Sequence, residues 1–108
     1  THIACMGTDT KGKQEIEASL MKRANLFTDE IAQSITIGEC QHAISEGSIT
    51  INDIIEIGAV INGTAVGRTT DSDITLFDGT GVGLQDLAVA SSVVELAIER
   101  GVANQVEF

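Results

Sequence analysis

Ile3-Ala4-Cys5-Met6-Gly7-Thr8-Asp9-Thr10-Lys11-Gly12-Lys13-Gln14-Glu15 is the stretch from which the fold can be read. Its apolar run, Ile3 to Met6, has the length and character of a buried strand in a parallel sheet, although a turn of buried helix fits the same pattern. The run stops at Gly7, and a polar loop containing Gly12 follows before helical spacing sets in. A carboxylate, Asp9, and an amine, Lys13, therefore sit just beyond the carboxyl end of a strand. That is the edge at which open α/β sheets bind ligands. A plainer reading fits the same residues: a solvated loop, with Asp9 capping a turn and Lys13 as a surface charge.

Outward from this stretch, strand-like and helix-like segments alternate. Glu15 to Ala24 has helical spacing through Ile16, Leu20 and Met21, with acids early and Lys22 and Arg23 late, as the helix dipole favours. Asn25 to Thr28 reads as a second strand. Thr28 or Asp29 can cap a helix carrying Ile31, Ala32 and Ile35, which Gly38 ends. Glu39 to Ser45 reads as a short helix closed by Gly47. Ile49 to Ile57 is rich in Ile, which favours a strand. Its 3–4 spacing and a cap from Thr50 or Asn52 nevertheless point to a helix from about Asn52 to Ile61, closed by Asn62-Gly63. A loop through Gly67 and Arg68 leads to a buried strand, Ile74 to Phe77. The Asp78–Gly83 turn then opens the longest helix, roughly Leu84 to Arg100. Its broad apolar band marks it as largely buried. Gly101 stops it, and Val102 to Phe108 reads as a final extended segment. The alternation predicts an α/β fold, half of a doubly wound, mainly parallel sheet ending in a long helix.

Composition narrows the function. The chain has 108 residues, 43% hydrophobic, enough for one small domain with a modest core. Six Lys and Arg against sixteen Asp and Glu give a formal charge of −10. No basic patch for nucleic acid can be assembled from so few cations, and an anionic membrane surface is equally disfavoured. No apolar run approaches the roughly 18 residues of a membrane span, and no leader is read at the start. Two cysteines, Cys5 and Cys40, form neither a disulfide framework nor a zinc pattern. A cytoplasmic, reduced setting is the expectation. The chain opens on Thr1-His2-Ile3, directly in its first strand, and is read as a piece of a longer protein.

The glycines of the Asp78–Gly83 turn sit where a dinucleotide fingerprint would, after a strand and before a helix. The third glycine fails in both registers, at Leu84 or Asp86, and an acid there would repel a pyrophosphate. The turn is thus either a tight strand-to-helix connection or one that lets backbone approach a ligand. His2 reads as packed beside a strand and His42 as a helix-surface residue, so no metal site is expected. Cys5 reads as a small core residue.

Three stretches in this order and spacing resemble the ornithine cyclodeaminase/mu-crystallin family. They are Thr1-His2-Ile3 through Glu15, then Glu56-Ile57-Gly58 with Asn62-Gly63 and Gly67-Arg68-Thr69, then Ile74 through Gly81 with Leu84-Gln85-Asp86. The resemblance covers nearly the whole chain and implies the second half of that family's NAD(P)-binding Rossmann domain. It implies that Asp9 is the catalytic acid/base, a role that partial burial could serve by lifting its pKa. It also implies that Met6, Gly7, Thr8, Asp9 and Lys13 line the nicotinamide nucleotide, NAD or NADP. Gly79 and Thr80 would lie near nicotinamide and substrate, with Thr80 facing the latter. The substrate would be a small amino or imino acid: ornithine going to proline and ammonia, or a related dehydrogenation or cyclic-imine reduction. A non-catalytic nucleotide- or hormone-binding protein is the competing class.

Two departures from the family pattern matter. Lys11 stands where many relatives carry Pro, and Gly79-Thr80 stands where ornithine enzymes tend to carry Ser-Val, which weakens the case for ornithine. The family's pyrophosphate loop, its ribose-binding acid and its substrate-binding Arg and Lys would all precede Thr1. The chain alone is therefore expected to be inactive and to bind NAD(H) weakly, and a homodimer would form through a separate domain.

Overall fold

The computed structural model describes residues 1–107. Four strands, β1 (His2–Cys5), β2 (Asn25–Thr28), β3 (Ile54–Glu56) and β4 (Thr75–Asp78), form one sheet in the order β1-β4-β2-β3. Every pairing is parallel. β4, last in sequence, lies between β1 and β2, with Cys5 and Thr28 both level with Asp78. All four strands therefore end on the same edge, and the loops that leave them are neighbours there.

Alternation along the central strands divides the two faces. Leu26 and Leu76 point into a core with Cys5, Ala18, Met21, Cys40, Ala43, Ile49 and Ile54. Helices α1 (Ala18–Met21), α2 (Ile31–Ser34) and α3 (Cys40–Ser45) supply its cover. Phe27, one residue out of phase, is buried on the other face, where α4 (Ile57–Ile61) brings Ile57 and Val60 alongside it.

Four expectations need correction. Regular helix in the 15–24 segment is confined to Ala18–Met21, because the amides of Glu15 and Ile16 donate to the Glu39 carboxylate at 2.8 and 2.6 Å instead of entering a helix. The cap of α2 is neither Thr28 nor Asp29 but Glu30, whose side chain accepts from Ala32 N. The Asn52–Ile61 helix divides into a single 3₁₀ turn (Ile51–Asp53), β3 and α4. Thr50 and Asp53 form a reciprocal capping box at that turn, and the next residues pair with β2. Finally, α5 (Gly83–Glu99) is exposed along nearly all its length within this chain. Leu84, Leu87, Val89, Val93, Val94, Leu96 and Ile98 are 43 to 70% accessible. Its apolar residues are spread around the helix, and among the described residues no other helix or strand makes an extensive contact with it. Residues 102–107 form no regular structure, and Phe108 lies outside the described residues.

The loop before β4 is held by one carboxylate. Asp73 accepts from the amides and hydroxyls of both Thr69 and Thr70, and Arg68 bonds the carbonyls of Thr1 and Asp73. These donors hold Asp73 far below the usual carboxylate range, and Asp9, Asp29 and Asp53 are lowered as well. A carboxyl whose folded pKa is depressed stabilises fully above its unfolded value and loses that stabilisation as pH falls through the folded one. The melting temperature of the intact protein is therefore expected to fall below about pH 4. Asp73→Asn should flatten that acid limb, and melting curves from pH 6 down to 2.5 test it; an unchanged limb would contradict the assignment. Asp78, raised by burial, acts in the opposite sense just above this window.

Candidate active site at the carboxyl edge of the sheet

Two loops meet at the carboxyl edge. β1 runs into Met6-Gly7-Thr8-Asp9, and β4, its neighbour in the sheet, runs into Gly79-Thr80. The Met6 thioether lies across Gly79: a Cβ at position 79 would come within 2.6 Å of Met6 Sδ. With glycine at 79 the Met6 side chain can rest against the β4 loop, and a larger residue there would turn it outward. The two motifs, some seventy residues apart in sequence, thus share one surface. Met6 is 67% exposed there and offers an apolar patch beside polar backbone.

Asp9 and Lys13 form an exposed ion pair at 2.6 Å. The Lys13 ammonium, helped by the Thr10 hydroxyl, holds the Asp9 carboxyl below the usual range. The expected upward shift through partial burial is thus reversed: Asp9 stays on the surface of this chain, and its nearest charge is a cation. Thr8 and Thr80 also differ from expectation in the direction of their side chains. Thr8 is 1% exposed, and its hydroxyl donates to Glu39 rather than facing outward. Thr80 is 4% exposed, with its hydroxyl on Asp29 Oδ1 at 2.7 Å and Gln33 Oε1 at 3.0 Å. The Thr80 amide also donates to the Asp29 carboxylate, at 3.0 and 3.1 Å. Neither threonine offers its side chain at the edge.

Three acids to which the sequence reading gave no part in the site hold this edge in place. Asp29, at the end of β2, anchors Thr80 and also receives Gln85 Nε2 from α5. Burial opposes the shift, but the Thr80 hydroxyl and amide keep Asp29 below the usual range. Asp78, at the end of β4, accepts from Ser34 Oγ at 2.6 Å and Glu39 N at 2.8 Å, and burial pushes its carboxyl up. Among the described residues its Oδ1 has no hydrogen-bond partner. Glu39, wholly buried, accepts from Thr8, Glu15 and Ile16. An acid directly after an apolar strand, or beside a glycine at a helix start, is the one sequence signal these residues share.

α3 fastens the rest of the Asp9 loop. Gln41 accepts from Gly12 N at 2.7 Å and donates to Thr10 O at 3.3 Å. His42 Nε2 lies 3.1 Å from Lys13 O, which fixes the proton on that nitrogen. His2 lies on β1 with Nδ1 2.8 Å from Thr75 Oγ1. Among the described residues no cluster of His, Cys, Asp and Glu could hold a metal. Cys5 is a core residue, and burial, with Glu39 and Asp78 adding to it, pushes its thiol up to about 12. A cleft of about 530 Å³ beside Lys11 and His42 contains neither Asp9 nor Thr80.

Residues 1–101 match the sequence model of the ornithine cyclodeaminase/mu-crystallin family. The chain belongs to this family. It is 63% identical over 108 residues to the iminosuccinate reductase of Paracoccus denitrificans and 40% identical over 109 residues to the alanine dehydrogenase of Archaeoglobus fulgidus. The structure of the Paracoccus enzyme in complex with NAD⁺ superposes on the whole chain with a TM-score of 0.88. That of the Thermococcus litoralis Δ¹-pyrroline-2-carboxylate reductase, solved with NADH and L-proline, does so over 98% of the chain at 0.87, with 26% identity. The chain covers 33% of each of these two structures. It likewise spans about a third of the length of the two relatives compared by sequence. Its fold is the C-terminal half of their Rossmann-like domain, ending in a long helix.

Proposed function

We propose that this chain is the nicotinamide-facing half of the nucleotide-binding domain in an NAD(H)-dependent oxidoreductase that reduces an α-imino acid to an α-amino acid. The observation that carries this reading is the junction of Met6–Asp9 with Gly79–Thr80 at the carboxyl edge, closed by Met6 over Gly79. The residues present fit the nicotinamide end of the cofactor: an exposed apolar side chain, close-packed glycine backbone and one carboxylate. They do not fit a pyrophosphate, because Asp9, Asp29 and Asp78 crowd the edge and Lys13 is already paired with Asp9. The phosphates are therefore bound by parts of the intact protein outside this chain, as are the carboxylates of the substrate.

Bound NADH supplies the hydride that adds to the imine carbon. The protein must favour the protonated imine, which accepts hydride more readily than the neutral form. Asp9, kept ionised by Lys13, suits this task, because an anion beside a nitrogen raises that nitrogen's proton affinity. In the reverse direction the same carboxylate accepts a proton from the amino group. Thr80, locked by Asp29, holds the loop backbone at a fixed distance from the substrate. Similarity to the iminosuccinate reductase, together with Gly79-Thr80 at the loop, favours imine reduction over ornithine cyclisation. A dimer built through the remaining domain accords with the archaeal alanine dehydrogenase, which was solved as a dimer.

The test is NADH oxidation by the intact protein, with iminosuccinate, the imine of pyruvate and Δ¹-pyrroline-2-carboxylate offered in turn. Turnover with at least one imine, and a preference for NADH over NADPH, is the expected result. Tight NADH binding without turnover of any imine would replace the enzyme by a binding protein.

A further inference from the structure

Glu39 is a wholly buried carboxylate at the start of α3, distant from both ligand-facing loops in sequence but bonded to both in space. Its side chain takes the Thr8 hydroxyl on one oxygen and the amides of Glu15 and Ile16, at 2.8 and 2.6 Å, on the other. These contacts bracket Asp9: Thr8 precedes it directly, and Glu15 and Ile16 close the loop that carries it. Its backbone amide donates to Asp78 Oδ2 at 2.8 Å, and Asp78 directly precedes Gly79-Thr80. Space around this amide is tight, since a Cβ on the preceding Gly38 would lie 2.5 Å from Asp78 Oδ2 and 2.7 Å from Ser34 Cα. The arrangement is directional as well as close-packed, because one buried acidic side chain satisfies the buried Thr8 hydroxyl and the part-buried amides of Glu15 and Ile16.

We infer that Glu39 is a positioning residue, which sets the place of the Asp9 carboxylate relative to the Gly79–Thr80 loop and so relative to the reacting imine. This rests on the role given to Asp9 in the proposed function. A buried acid that held a single loop would have no need to join the two loops that meet the ligand. Glu39 joins them through side chain and backbone at once. Gln41 and His42 fasten the outer part of the Asp9 loop, from Thr10 to Lys13, but among the described residues the side chain of neither is hydrogen-bonded to β4.

The test uses the intact enzyme and a double-mutant cycle. Glu39→Ala should lower kcat about 10- to 100-fold per folded molecule, the scale of a misplacement near 1 Å. The dissociation constant for NADH should change less than about threefold. Glu39→Gln should restore most of kcat, since its amide oxygen can accept from Glu15 and Ile16 while its NH₂ meets Thr8. In an Asp9→Asn background the Glu39→Ala substitution should cost little further, because two residues acting as one unit are not additive. Where Glu39→Ala does not fold, Thr8→Val carries the same cycle, since it removes only the hydroxyl that links Glu39 to the Asp9 loop. A kcat within twofold of wild type, or a full loss persisting in the Asp9→Asn background, overturns the inference. A slow Asp9→Asn enzyme with a normal Glu39→Ala enzyme sinks this inference alone. Full turnover by Asp9→Asn sinks the reading beneath it as well.

Discussion

Asp9→Asn in the intact enzyme is expected to lower turnover with an imino acid by about 100-fold or more, the scale on which a positioned proton-transfer or charge-stabilising group acts. Asn preserves the size and hydrogen-bonding shape of Asp but carries no charge, so it cannot favour the protonated imine. Affinity for NADH should hardly move, since in the proposed reading the phosphates are bound outside this chain. The Lys13 partner sharpens the test. With Lys13 at 2.6 Å the carboxyl is held ionised, so its loss should slow the reaction across the neutral range instead of merely shifting its pH optimum. Steady-state kinetics from pH 6 to 9, with calorimetry for NADH, separate the outcomes. If Asp9 only caps a turn, Asn caps nearly as well and turnover survives.

Gly38→Ala is expected to destabilise the intact protein by about 3 kcal/mol. A methyl group there would meet a carboxylate oxygen and the backbone of Ser34, neither of which is the free end of a flexible chain. Overpacking of this kind costs about 1–3 kcal/mol. Displacing the Glu39 amide from Asp78 leaves a buried acceptor short of a donor, at about 1–3 kcal/mol more. A drop in melting temperature of roughly 5–10 °C should follow. A shift under about 2 °C would show that α2 and α3 can separate without loss, and that the Asp78 anchor is weaker than its geometry implies.

Much of the fold was legible because short-range signals agreed. The strands at Asn25–Thr28 and Thr75–Asp78 lie within one residue of where apolar runs placed them, and α5 begins and ends within one residue of its reading. The Ile49–Ile57 segment was misread because its five isoleucines can satisfy either period, and pairing with β2 decided for a strand at Ile54–Glu56. The burial of α5 was misread for a different reason. Apolar residues say that a surface wants cover, not that this chain provides it. The catalytic assignment of Asp9 came from resemblance alone, since an Asp in a polar loop has no distinctive pattern. The anchoring roles of Asp29, Glu39 and Asp78 were invisible for a physical reason: the loop and helix partners they hold lie 23 to 56 residues away. Only the closed sheet turns ordinary acids into anchors.

The placement of β4 also governs the order in which the molecule can assemble. β1 and β2 do not pair with each other; each waits for a strand that enters between them. On a ribosome adding about 5–20 residues per second, the interval between Thr28 and Thr75 leaves both edges open for seconds. Closure then fixes the sheet and, in the same event, brings Asp78 to the Glu39 amide and Gly79 beneath Met6. The Met6–Asp9 and Gly79–Thr80 loops are thus brought together only when the last strand of the sheet is in place. Substitutions in Thr75–Asp78 should slow its appearance more than they speed its loss, because long-range parallel pairing carries the greatest cost in loop closure.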